Sequence, residues 1–68
     1  MTRMRINGVE EEISATTLTE LLIGRGVDPA ARFLAIAVNG SVVRRAEWPS
    51  RELAAGDTVE IVRPLQGG

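Results

Sequence analysis

The groups in this chain that could do chemistry are few. No Cys, His, Lys or Tyr occurs among its 68 residues. Without Cys or His, the usual ligands of zinc and transition-metal sites are missing, as are the thiolate nucleophile and the imidazole base. Without Lys there is no Schiff-base amine, and no side chain can accept an isopeptide bond. A nucleophilic catalyst would have to be assembled from Ser, Thr, Asp and Glu, and an activated nucleophile needs a base and an orienting group beside it. A self-sufficient enzyme is therefore not expected. The stretch that stands out is Ile61-Val62-Arg63-Pro64-Leu65-Gln66-Gly67-Gly68. Glycine adds no buried surface and loses the most entropy on ordering, so a Gly-Gly end does nothing for stability. Chain ends also fray and tolerate most residues. At a usual glycine frequency of about 7%, such a pair arises in roughly one chain in two hundred.

Composition narrows the class further. A chain of this length is one domain near the lower limit for folding alone, and 44% hydrophobic residues suffice for a small core. The net charge is −1, and all the basic residues are Arg. That balance speaks against nucleic-acid or membrane-surface binding driven by bulk charge. Phe33 and Trp48 are too few aromatics for a base-stacking platform. The opening MTRMRING has no long apolar run, so neither a signal peptide nor a membrane span is expected, and the expected location is cytoplasmic.

The elements that must carry the tail are punctuated by glycine. Asn7-Gly8 between two strand-like runs is a hairpin signal, placing strands at about 3–7 and 9–13. The Glu10-Glu11-Glu12 run reads as a solvated face. Thr17-Leu18-Thr19-Glu20 reads as a capping box that opens a helix over about 18–25. Leu18, Leu21 and Leu22 form its apolar face, with Gly24 and Gly26 as stops. Leu34-Ala35-Ile36-Ala37-Val38 is the most apolar run and suggests a central strand, with Leu34, Ile36 and Val38 toward the helix and the alanines opposite. Asn39-Gly40 turns the chain into Ser41-Val42-Val43-Arg44. Residues 46–53 read as irregular with one short helical turn, and Trp48 reads as packing. Ala55-Gly56-Asp57 is a turn, and Thr58–Arg63 alternates as the last strand, ended by Pro64.

The order β-β-α-β-β-β predicts an α+β fold of the β-grasp, or ubiquitin-like, kind: a mixed sheet of four to five strands with one main helix on one face. In that arrangement the last strand lies centrally beside the first. Residues 1–63 would form the domain and 64–68 a flexible tail.

The residues also resemble those of a known family, the ThiS-type sulfur carrier proteins of thiamine biosynthesis. The resemblance spans nearly the whole chain. It is carried by Asn7-Gly8, by Thr17-Leu18-x-Glu20-Leu21-Leu22, and by Ala35-Ile36-Ala37-Val38-Asn39-Gly40 followed by Val42-Val43. Further on it is carried by Arg45-x-x-Trp48, by Leu53-x-x-Gly56-Asp57-x-Val59-Glu60-Ile61-Val62, and by Gln66-Gly67-Gly68. Arg44 stands where the family often has Pro, and Pro64 resembles the tails of the related molybdopterin-synthase carriers.

The resemblance implies that the reactive group is the α-carboxylate of Gly68. A terminal carboxyl, with a pKa near ~3.5, is ionised at neutral pH and is a poor acyl donor. In the family an adenylyltransferase, an E1-like activating enzyme, uses ATP to adenylate it. A sulfur donor such as a cysteine desulfurase relay then displaces AMP, and the thiocarboxylate passes to a thiazole synthase. No cofactor bound by the carrier itself is implied. Gly67 and Gln66 would thread the tail into partner sites. Glycines suit this because they lack Cβ and leave the carbonyl unhindered. Partner docking would fall to an outward patch of Ala35 and Ala37, to Leu65, and to Arg44, Arg45 and Arg63 against partner carboxylates. The same Gly-Gly end would also serve a small subunit of molybdopterin synthase or a ubiquitin-like protein modifier, and an interaction domain with an inert tail is the remaining alternative.

Overall fold

The computed structural model describes residues 1–63. The expected tail, 64–68, lies outside the described residues. Strand β1 (Thr2–Ile6) turns through Asn7-Gly8 into β2 (Val9–Ile13). Helix α1 (Leu18–Gly24) follows, then β3 (Ala35–Val38), β4 (Ser41–Val43), a single 3-10 turn (Arg45–Glu47) and β5 (Thr58–Val62). The sheet order is β2-β1-β5-β3-β4, with β1 and β5 parallel and the other pairs antiparallel. This is the mixed five-stranded sheet with one main helix that defines the β-grasp. The middle strand is β5. β3 is interior, between β5 and β4, as its apolar sequence suggested.

Local chemistry accounts for each joint. Asn7 (φ 51°) and Gly8 (φ 86°), like Asn39 (φ 53°) and Gly40 (φ 85°), are left-handed at both positions, the geometry that matches a two-residue turn to strand twist. Thr17 caps α1 by accepting from the Glu20 amide at 3.2 Å. The reciprocal arm of the expected capping box lands one residue earlier: the Glu20 carboxylate accepts from the Thr16 amide (2.9 Å) and the Thr16 hydroxyl (2.8 Å). These bonds, led by the Thr16 amide, hold Glu20 below the ordinary carboxylate range. The helix ends in a Schellman motif on Gly26 (φ 78°), with Gly26 N donating to Ile23 O (3.0 Å) and Val27 N to Leu22 O (2.9 Å). Gly24 is simply its last residue.

The core is one cluster between helix and sheet. Leu18, Leu21 and Leu22 of α1 pack over Met4, Ile6, Ile13, Ile36, Val38 and Val59, and Val27, Leu34 and Trp48 close the cluster. Trp48 is 2% exposed, and its Nε1 donates to Val43 O at 2.9 Å, so the packing expectation describes it. Asp57 is the buried polar residue of this set. It accepts from Asn39 Nδ2 (3.0 Å) and Ala54 N (2.9 Å), while Asn39 Oδ1 accepts from Thr58 N (3.0 Å). The β3–β4 turn is thereby tied to the start of β5.

Candidate functional site

The resemblance puts the expected reactive end at Gly68. Gly68, Gly67, Gln66 and Leu65 all lie outside the described residues, and what is described is β5, which precedes them in the chain. β5 is gripped on both sides. Arg5 and Ile6 pair with Thr58 and Val59, and Ala35, Ile36, Ala37 and Val38 pair with Val62, Ile61, Glu60 and Val59. Where β1 runs out, the Asn7 side chain takes over: its Oδ1 accepts from Ile61 N at 2.8 Å, and its own N donates to Val59 O at 2.9 Å. Asn7 is thus both a turn former and a clamp on the root of the tail. The sequence announced only the first role.

Strand alternation sorts the sheet into two faces. Val59, Ile61, Ile36 and Val38 face the helix. Thr58, Glu60, Val62, Ala35, Ala37 and Val42 face the other way. Ala35 is exposed and Ala37 half-buried, as expected of the outward alanines, and Val42 (78%) and Val62 (60%) extend their apolar surface. At the β1–β2 side the same face is ionic. Arg3 pairs with Glu10 (2.9 Å) and Glu12 (3.6 Å), and Arg5 pairs with Glu10 (3.6 Å). The Arg3 guanidinium, hydrogen-bonded to Glu10, holds that carboxyl below its ordinary value. Glu11 points to the helix side, where it meets Arg25 at 2.9 Å, so the glutamate run divides between both faces.

The arginines separate. Arg63 is exposed and follows Val62 directly. Arg44 is also exposed and follows the Val43 that pairs with Ile36, which places it at the same end of the sheet as Ala35 and Val62. Arg45 is engaged within the chain. Its guanidinium donates to the carbonyls of Pro29, Ala31 (2.7 Å) and Leu34 (3.5 Å), and it lies 4.6 Å from the centre of the Trp48 ring. These contacts add a structural role to the docking role expected of Arg45, which is itself exposed. Its donors hold the α1–β3 loop, a contact reaching back 11 to 16 residues that no local pattern reveals. Arg45-x-x-Trp48 is a stacked structural pair.

Among the described residues no cluster of His, Cys, Asp and Glu is placed to hold a metal, and no helix is long and apolar enough to cross a membrane. An open groove lined by Asn7, Arg25, Val27, Ile61 and Arg63 lies at the root of the tail. It holds no pairing of acid and base suited to catalysis.

The fold defines a class: a β-grasp protein whose middle strand, β5, is the last strand among the described residues. The pattern of the ThiS family matches residues 3–68, and the chain belongs to that family. It is 35% identical over 63 residues to the sulfur carrier protein ThiS of Thermus thermophilus, covering 93% of this chain and 95% of that one. It also superposes on the crystal structure of the thiamine biosynthesis protein ThiS from Geobacter metallireducens with a TM-score of 0.79 and 26% identity, over 98% of this chain and 100% of that one. The solution structure of a thiamine biosynthesis protein from the same organism gives a TM-score of 0.78 at 26% identity, over 98% and 88% of the two chains.

Proposed function

We propose that this protein is a sulfur carrier of thiamine biosynthesis, a protein co-substrate whose Gly68 carboxylate is the working group. The observation that carries the reading is a family match that extends through Gly67-Gly68, on a chain without Cys, His, Lys or Tyr. A partner adenylyltransferase would bring the Gly68 carboxylate oxygen to the α-phosphorus of ATP, releasing pyrophosphate. The acyl adenylate converts a poor leaving oxygen into AMP. The outer sulfur of a persulfide donor then attacks the carbonyl carbon as the bond to AMP breaks, and a second donor thiol cleaves the resulting acyl disulfide, leaving the thiocarboxylate for thiazole formation and a disulfide on the donor. Each partner must receive the tail end-on, and the open apolar face of Ala35, Ala37, Val42 and Val62, flanked by Arg44 and Arg63, is the natural surface for it to grip.

The test is intact mass after incubation with ATP, magnesium, a sulfur source and the activating enzyme of the host's thiamine pathway. The expected product has exchanged one oxygen for sulfur, and deletion of Gly67-Gly68 abolishes the change. Gly68→Val should fold normally and fail to be modified; normal thiocarboxylate formation by that variant would sink the proposed role of the unhindered carbonyl. Charging only by a molybdenum-cofactor enzyme, or isopeptide remnants on cellular lysines, would move the assignment to the other Gly-Gly chemistries.

A further inference from the structure

Phe33 is the anomaly of this molecule. It is a non-glycine residue at φ 61°, in the left-handed region that an aromatic side chain disfavours. Its side chain is 79% exposed, so core packing does not compensate for that conformation. The loop that imposes it is held hard: Arg45 binds the carbonyls of Pro29, Ala31 and Leu34 on either side of it, and Ala31 N donates to Asp28 O at 2.9 Å. A strained conformation that shows a large apolar ring to water does nothing for the stability of the free protein.

Its position supplies a reason. β3 and β5 are antiparallel, and Ala35 pairs with Val62. Phe33, two residues before Ala35, therefore stands at the end of the sheet where β5 stops and the chain continues toward Gly68. From Arg63 the remaining five residues reach at most about 18 Å when extended, so an enzyme that takes the tail must come close to this end of the sheet. Resting on the carrier reading above, we infer that Phe33 is a docking anchor for the adenylating enzyme, seated in an apolar pocket beside the channel that receives the tail. The adenylating enzyme is the partner because it meets the tail before any activation. A glycine carboxylate is the same on any chain that ends in glycine, so selection before ATP is spent must draw on contacts remote from the reacting atoms. An exposed, rigidly held aromatic beside the tail root is such a contact.

The experiment compares wild type with Phe33→Gly and Phe33→Tyr in pyrophosphate release by the thiamine-pathway adenylating enzyme, in direct binding titrations with that enzyme, and in thermal unfolding. Glycine is at ease at φ 61°, so Phe33→Gly should unfold at the same or a higher temperature than wild type. It should raise KM for the carrier about tenfold and weaken binding by a similar factor, with kcat little changed. Phe33→Tyr, which keeps the ring, should restore wild-type KM. Unchanged KM and affinity in Phe33→Gly would overturn the anchor while leaving the carrier reading intact. So would a lowered unfolding temperature that accounts for the lost affinity. A wild-type chain that binds no adenylating enzyme and releases no pyrophosphate would overturn the carrier reading, and the anchor with it.

Discussion

Asn7 links the first turn of the chain to its last strand, and its replacement tests how the tail root is held. The Asn7 side chain accepts from Ile61 N at 2.8 Å, and its backbone sits at φ 51°. Asn7→Gly removes the acceptor and keeps the turn. Losing a backbone N–H partner costs roughly 1–2 kcal/mol, less what water recovers at this exposed position. Glycine at a left-handed position returns about 0.5–1 kcal/mol. The net destabilisation should be about 0.5–1 kcal/mol, or roughly 4 °C in midpoint for a domain of this size. Asn7→Ala loses the bond and gains backbone strain as well, so it should cost about 2–3 kcal/mol. Asn7→Asp keeps an acceptor and should lie near wild type. The assay is urea unfolding followed by Trp48 fluorescence, with hydrogen exchange at the Ile61 amide as the local readout. Faster exchange at Ile61 in both Gly and Ala variants, but not in Asp, is expected. Unchanged Ile61 exchange in Asn7→Gly would refute the clamp.

Trp48→Ala should cost about 3–5 kcal/mol, which approaches the whole stability of a chain this short, and circular dichroism should show it largely unfolded at 37 °C. Trp48→Phe keeps the ring, loses the bond to Val43 O, and should cost about 1–2 kcal/mol. Arg45→Met keeps aliphatic contact with Trp48 but frees three loop carbonyls. It should cost about 1–2 kcal/mol and accelerate amide exchange in the α1–β3 loop ahead of the sheet. In the folded protein Arg3 holds Glu10, and Thr16 holds Glu20, so that each titrates below the pH at which a free glutamate does. Their stabilisation is therefore full above that pH and is lost as the pH falls through the lowered values. The unfolding midpoint should be flat near neutrality and drop below about pH 4.5, less steeply in Glu20→Gln; an equally steep drop in that variant would count against the Thr16 bonds.

What could be read from the sequence followed short-range rules. Asn7-Gly8 and Asn39-Gly40 form the hairpin turns expected, because the requirement for positive φ at adjacent residues is written in residue type. The alternation around Ile36 and Ile61 sorts the faces correctly, because one face is buried. What escaped was tertiary. The loop contacts of Arg45, expected only as a docking candidate, escaped because its carbonyl partners sit in a loop far back along the chain. The capping carboxylate moved from Thr17 to Thr16, a shift of one residue that propensity does not resolve. Phe33 carries no sequence mark of its strain, since its φ is imposed by the loop around it.

The middle position of β5 also has a mechanical meaning. A force applied along the axis of β5 acts roughly perpendicular to the hydrogen bonds joining it to β3. The bonds to β3 and β1 are then loaded in shear and share the force, rather than opening one at a time as they would if an edge strand were peeled away. A load along β5 is thereby spread over the strands on both of its sides, which resist it together.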